Sequence, residues 1–171
     1  MARGYARRLN QGEQHWAVLV VPTISVLLGS LISTLPHIAL YPLLPPFGFL
    51  MLLSWRLLVR DVWPAWAALP LGFFDDLLSG QPLGSAMFLW TLALLALGLC
   101  DRWMMWRDYR QDWAIASLLT ILALLGGLGI ANMSGGQTSA LYLIPQIIVS
   151  LLFLPLIIRI CGALDRLRWS L

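Results

Sequence analysis

Lysine is absent from these 171 residues, and charged side chains of every kind amount to only 11% of the chain. Hydrophobic residues make up 60%, and the mean hydropathy is +0.81. That is far more apolar area than a soluble domain of this length hides in one core, so the chain belongs in a membrane. Cysteine and histidine are also scarce: Cys100, Cys161, His15 and His37 are all there is. They lack metal-ligand spacing, and the topology derived below puts the two histidines on opposite sides of the bilayer, so no metal site is expected. Both cysteines fall near the predicted inner face, where a reducing compartment disfavours a disulfide. No Ser-His pairing, HExxH motif or second acidic span supports an enzyme, and neither a catalytic residue nor a cofactor is expected. A pI near 9.3 requires no nucleic acid, because arginines facing anionic lipid account for it.

What the chain has instead is apolar runs. A spanning helix needs about 20 mostly apolar residues to cross roughly 30 Å of hydrocarbon, and six candidates occur, at about 16–35, 37–59, 62–79, 83–100, 113–131 and 140–161. Loops between them are short, so the chain reads as one polytopic domain over 1–171, without repeats or a soluble module. The basic start "MARGYARR" followed by an apolar run resembles a signal peptide, but the run is too long and lacks an A-x-A site, which favours a retained anchor. The arginines fall as Arg3, Arg7 and Arg8 in the N-terminal arm, Arg56 and Arg60 between spans two and three, Arg102, Arg107 and Arg110 between four and five, and Arg159, Arg166 and Arg168 at the C-terminus. The positive-inside rule then predicts an all-α bundle of about six transmembrane helices with both termini cytoplasmic.

Trp16, Trp55, Trp63, Trp66, Trp103, Trp106, Trp113 and Trp169 all lie at predicted inner ends, where indole rings prefer the headgroup level; Trp90 alone is mid-span. The connection "DRWMMWRDYRQDW" (101–113) is expected along the inner surface, either as an interfacial anchor or as a docking face for a cytoplasmic partner. Span two is irregular. Pro42, Pro45, Pro46 and Gly48 crowd its outer half, which predicts a helix beginning near Pro46 and too short to cross alone. Residues 37–46 are therefore expected to pack against other spans or line an outward-facing hollow, unless the span is longer and merely kinks or the segment is a loop lying entirely outside.

Span three carries two adjacent acids, Asp75 and Asp76. Each costs roughly 2.5–3.5 kcal/mol at a span's centre, against about 0.3–0.6 returned by each Leu, Ile, Val or Phe, so this span is marginal alone even though both acids sit toward the outer interface. Ala65, Ala68, Gly72, Asp76 and Gly80 recur at helical spacing as a strip of small residues, with Asp75 rotated onto the face of Leu71 and Leu78. Span five offers a similar strip, Ala123, Gly127 and Ala131. The two strips are expected to face one another or a partner's helix.

The segment "DLLSGQPLG", preceded by Gly72 and Phe73 and by "SWRLLVR" at the end of span two, resembles the signature of the bacterial rod-shape-determining MreD family. The pattern D-x-x-SG-x-x-LG is matched by Asp76, Ser79, Gly80, Leu83 and Gly84, with Asp75 outside it. The resemblance covers nearly the whole chain. It implies a non-enzymatic inner-membrane scaffold of the cell-wall elongation complex, associated with MreC, a peptidoglycan transpeptidase, a RodA-type glycosyltransferase and, at least indirectly, the MreB filament. Several copies within that complex are compatible with it. In physical terms, Ser79 and Gly80 end a helix, Pro82 stops its continuation, and Asp76 is placed to accept hydrogen bonds at the turn, to contact a partner span, or to take part in ligand or proton chemistry. Two rival classes remain. One is a ligand-binding subunit like those of energy-coupling vitamin transporters, drawing on His37, Tyr41, Asp75, Asp76, Asn132, Gln137 and Tyr142; the other is an intramembrane hydrolase using the acid pair.

Overall fold

The computed structural model describes residues 19–33, 44–60, 62–103, 108–137 and 139–170, with side chains as far as Leu167. Among the described residues all regular structure is helical: α1 (Leu19–Ser33), α2 (Phe47–Leu58), α3 (Ala68–Ser79), α4 (Ser85–Trp103), α5 (Tyr109–Met133) and α6 (Ile144–Ser170). Short 3-10 turns at Ala65–Ala67 and Ala140–Leu143 lead into α3 and α6. Three segments are long and apolar enough to cross a membrane: Ser85–Trp103, Tyr109–Met133 and Ala140–Leu167.

Hydropathy marks where lipid ends, not where a helix ends. α4 continues beyond Cys100 to Trp103, α5 begins at Tyr109 rather than near Trp113, and α6 runs through Arg159 and Arg166 beyond Cys161. Arg, Leu and Gln favour helix, so each helix propagates past its apolar stretch. Asp101, Arg102 and Trp103, expected in a surface connection, are instead the last turn of α4, and residues 104–107 lie outside the described residues. Pro64, extended, starts the turn into α3, and Pro70 falls in the first helical turn, where its missing donor costs nothing.

The short α2 is the hub. Its 12 residues cover about 18 Å at 1.5 Å each, less than the hydrocarbon thickness. It packs against α4, α5 and α6, and Phe49, Leu50, Leu52, Leu53 and Trp55 are all buried. A helix apolar all round lies either among other helices or against lipid, and the burial of these side chains puts α2 among helices. α1 closes the remaining side through a tight crossing: a Cβ on Gly48 would collide with Ser30, and one on Gly29 would lie 3.1 Å from the Gly48 and Phe47 backbone. Phe47 meets Phe153 of α6 edge-on at 5.7 Å, and Phe49 meets Trp90 of α4 at 5.9 Å.

Buried hydroxyls are settled mostly within their own helices. Ser54, Ser117, Thr120 and Ser150 each donate to the carbonyl four residues earlier, at 2.6–2.7 Å. Two tryptophans expected at the headgroup level belong to the core instead. Trp55 is 0% exposed and donates from Nε1 to Ser25 Oγ at 2.7 Å, and Trp63 is 6% exposed. Trp66 and Trp103, at 67% and 87%, are open to the surroundings, whereas Trp16, Trp106 and the Trp169 side chain lie outside the description.

At the arginine-bearing end, Arg56 of α2 pairs with Asp101 of α4 at 2.8 Å, with the side chains 11% and 15% exposed. Breaking such a shielded pair strands one charge, at a cost of about 3–5 kcal/mol, whereas replacing both partners by apolar residues is often close to neutral. Thermal unfolding in detergent is expected to show Arg56→Leu melting well below the double variant Arg56→Leu/Asp101→Leu. A double variant as unstable as the single would deny the pair its role.

Candidate functional site

The acidic turn is built from the start of α4 backwards. A helix begins with four N–H groups that have no partner inside it, and the N-cap side chain ordinarily serves one or two of them. Here the N-cap position is Gly84, as Phe88 N–H bonded to its carbonyl at 3.0 Å shows, and glycine has no side chain to offer. Asp76, one helix earlier, supplies the missing acceptor. Its Oδ2 accepts from Gly84 N–H at 2.9 Å and Met87 N–H at 3.3 Å, and its Oδ1 accepts from Ala86 N–H at 2.8 Å and the Ser85 hydroxyl at 2.9 Å. Ser85 N–H goes to the Pro82 carbonyl at 3.0 Å. All four leading donors of α4 are thereby satisfied, three of them by one carboxylate that is 2% exposed. Its two acceptor oxygens also sit at the positive end of the helix dipole.

Gly72 makes this reach possible. It lies one turn before Asp76 on the same face, and a Cβ there would stand 2.7 Å from Met87 Cα and N and 2.8 Å from the Ala86 carbonyl carbon. Only a bare α-carbon lets α3 come close enough for the next turn's carboxylate to touch the α4 backbone. Gly80, at φ 66°, ends α3 in the left-handed conformation, and Gly84, at φ 95°, turns the chain into α4. Of the other motif positions, Leu83 is exposed, and Ser79 Oγ is shielded without a hydrogen-bond partner. Asp75 faces away from the clamp, toward Ser30 of α1.

The strips on α3 and α5 do not face each other, contrary to the expectation from spacing. α3 packs chiefly on α4, and α4 in turn packs on α5, because the five-residue turn from Gly80 to Gly84 folds α3 and α4 into a hairpin. Gly127 looks onto Leu89 of α4 and Gln81 at 3.8 Å, ordinary contact distance; the tight position is Gly126, where a Cβ would lie 2.7 Å from Leu89 Cδ2. Ala123 packs against the core, and the Ala131 carbonyl accepts Gly136 N–H at 3.0 Å as α5 ends.

A second polar arrangement holds the start of α2. Gln146 Nε2 of α6 donates to the Leu44 carbonyl at 2.9 Å, and Ser33 Oγ of α1 accepts Phe47 N–H at 3.1 Å. Backbone freed by Pro45 and Pro46 thus finds partners on two other helices, as irregular chain within a membrane requires. Sequence reasoning missed Gln146, Ser33, Ser85 and the Arg56–Asp101 pair. Gln146 and Arg56, polar residues within apolar runs, were the available signal. Of the residues considered for a ligand pocket, Asn132, Gln137 and Tyr142 are exposed, and His37 and Tyr41 lie outside the described residues.

These features define a helical membrane protein whose most deeply buried described acid joins two of its own helices. The chain belongs to the MreD family: the model for the rod shape-determining protein MreD matches residues 14–163. No curated protein and no solved structure matches it.

Asp76→Ala removes the acceptor from three backbone donors, each costing about 1–3 kcal/mol when left unmet, so a loss of at least about 3 kcal/mol is expected in detergent unfolding. Asp76→Asn keeps one acceptor oxygen for Gly84 and Met87 and turns its amide toward the Ser85 hydroxyl and a single N–H, that of Ala86, and its loss should fall between Ala and wild type. Gly72→Ala forces backbone apart and is expected to cost about 1–3 kcal/mol, whereas Gly127→Ala should be near neutral. Equal melting temperatures for Gly72→Ala and Gly127→Ala would refute the close-approach argument.

Proposed function

We propose that this chain is a non-enzymatic scaffold of the cell-wall elongation complex in the bacterial inner membrane. It crosses the bilayer six times with both termini cytoplasmic, its second span broken by prolines. Membership of the MreD family implies a role in rod-shape determination. The finer reading is that the bundle holds the single span of MreC, and through it the wall-building transpeptidase and a RodA-type glycosyltransferase, above the MreB filament.

The observation that carries the scaffold reading is the occupancy of Asp76. The carboxylate is spent on four donors of its own chain, which makes the turn a joint between two helices and leaves Asp76 itself no part in chemistry. The Ser33 and Gln146 contacts to the start of α2 serve the same end, fixing an irregular segment so that neighbouring spans meet a defined surface. The orientation is supported by Arg56, Arg102, Arg110, Arg159 and Arg166, which the six-span path assigns to one side.

Two measurements test this. In a background lacking Cys100 and Cys161, a cysteine at Gln81 is expected to react with an impermeant maleimide from outside intact spheroplasts, and one at Arg110 only after lysis; the reverse pattern overturns the topology. Purification from mild detergent with residue-level crosslinking is expected to recover MreC and a wall synthase on this chain. Recovery of folded protein with neither partner would remove the scaffold reading while leaving the topology intact.

A further inference from the structure

Between the first turn of α5 and the middle of α6 lies an open groove of about 710 Å³, lined by Asp108, Tyr109, Arg110, Gln111, Trp113 and Pro155. Its size is within the range of sites for small molecules, about 300–1,000 Å³. Its depth is set by the sequence of α6. Arg159 lies four residues beyond Pro155, about 6 Å along the helix, so Pro155 stands where the hydrocarbon begins and Asp108 to Trp113 stand at the headgroup level.

The lining is amphipathic in a particular order. Tyr109 and Trp113 are one turn apart on the same face, 59% and 40% exposed, the placement aromatic rings take at a membrane interface. Arg110 has no ion-pair partner among the described residues. Asp108 is the N-cap of α5, its backbone carbonyl accepting the Gln111 N–H at 2.9 Å, and its carboxylate keeps lone pairs for a further donor. A guanidinium and a carboxylate thus share one groove without pairing to each other, while Pro155 offers an apolar ring at the deeper end.

We infer that this groove is a specific site for an aminophospholipid of the inner leaflet, a zwitterionic headgroup with a primary ammonium. Its phosphate meets Arg110, its ammonium donates to Asp108, and its upper acyl chain lies against Pro155 and Trp113. The charge pattern selects the occupant. A purely anionic headgroup satisfies Arg110 but sets a negative charge against Asp108, and a quaternary choline has no N–H to donate. The inference takes the leaflet from the topology proposed above but is independent of the scaffold role, and its test in detergent does not depend on either.

Native mass spectrometry of the full-length protein, titrated with an equimolar mixture of phosphatidylethanolamine, phosphatidylglycerol and phosphatidylcholine of matched acyl chains, reads the selectivity directly. The ethanolamine lipid is expected to be retained over the other two by about threefold or more, the scale of an exposed ion pair. Arg110→Gln and Asp108→Asn should each abolish that preference, while Arg102→Gln, in the last turn of α4, leaves it unchanged. Asparagine is as good an N-cap as aspartate, so Asp108→Asn should retain the wild-type melting temperature, which separates loss of the site from loss of the fold. Equal retention of the three lipids, a preference for the glycerol lipid, or a preference indifferent to both groove variants would each overturn the assignment.

Discussion

The hydrogen bonds from the first turn of α4 to the Asp76 carboxylate are the interaction on which the α3–α4 half of the molecule depends. The first turn of α4 is shielded by protein, with Ser85 and Ala86 buried, so water does not satisfy its leading N–H groups. The usual remedy is a capping side chain at the start of the helix itself. This chain puts glycine there, freeing the backbone to turn sharply, and brings the acceptor from the preceding helix. One choice entails the next: a bare Gly84 requires Asp76, and Asp76 can reach only because Gly72 allows close contact. An acid that is costly to place in lipid thereby becomes a fixed joint between two spans.

The other half of the architecture turns on α2, short, apolar on every side and surrounded. Its isolation from lipid explains why it tolerates prolines at one end and an arginine at the other. Ser33 and Gln146 serve the proline-bearing end, and Asp101 pairs with Arg56 at the other. In each case a polar group that hydropathy alone would penalise meets a partner from a different helix. The hydroxyls of Ser54, Ser117, Thr120 and Ser150 fold back on the carbonyl one turn earlier in their own helices.

Much of this was legible in the sequence, and the residues show where legibility stopped. The apolar runs, the αL glycine after Ser79, and the placing of Asp76 among small residues all follow from spacing and cost. The partners of Asp76 were harder to name, because a backbone N–H leaves no mark in a sequence. Ser85 alone had a side chain to give it away. The pairing of the α3 and α5 strips was mistaken because small residues at helical spacing announce a close approach without saying whose, and the tight turn awarded α3 to α4. Tryptophan misled in the same way: an indole near a charged segment suits the interface, yet Trp55 found Ser25 and entered the core. Helix ends overran their apolar stretches because propensity outlasts hydropathy. The MreD motif was recognisable from Asp76, Ser79, Gly80, Leu83 and Gly84, of which the buried acid and the two turn glycines have a clear mechanical role.

The contacts also differ in how much chain must exist before they can close. Every donor to Asp76 lies within eight to eleven residues of it, whereas Trp55 and Ser25 are separated by 30 residues, and Gln146 and Leu44 by 102. During synthesis the third and fourth helices can therefore lock as a finished hairpin, its acid already hydrogen-bonded, before the sixth has left the ribosome. The proline-broken stretch ahead of α2 must wait for that last helix to supply Gln146. Maturation of this protein thus runs from a self-sufficient hairpin to a hub completed last.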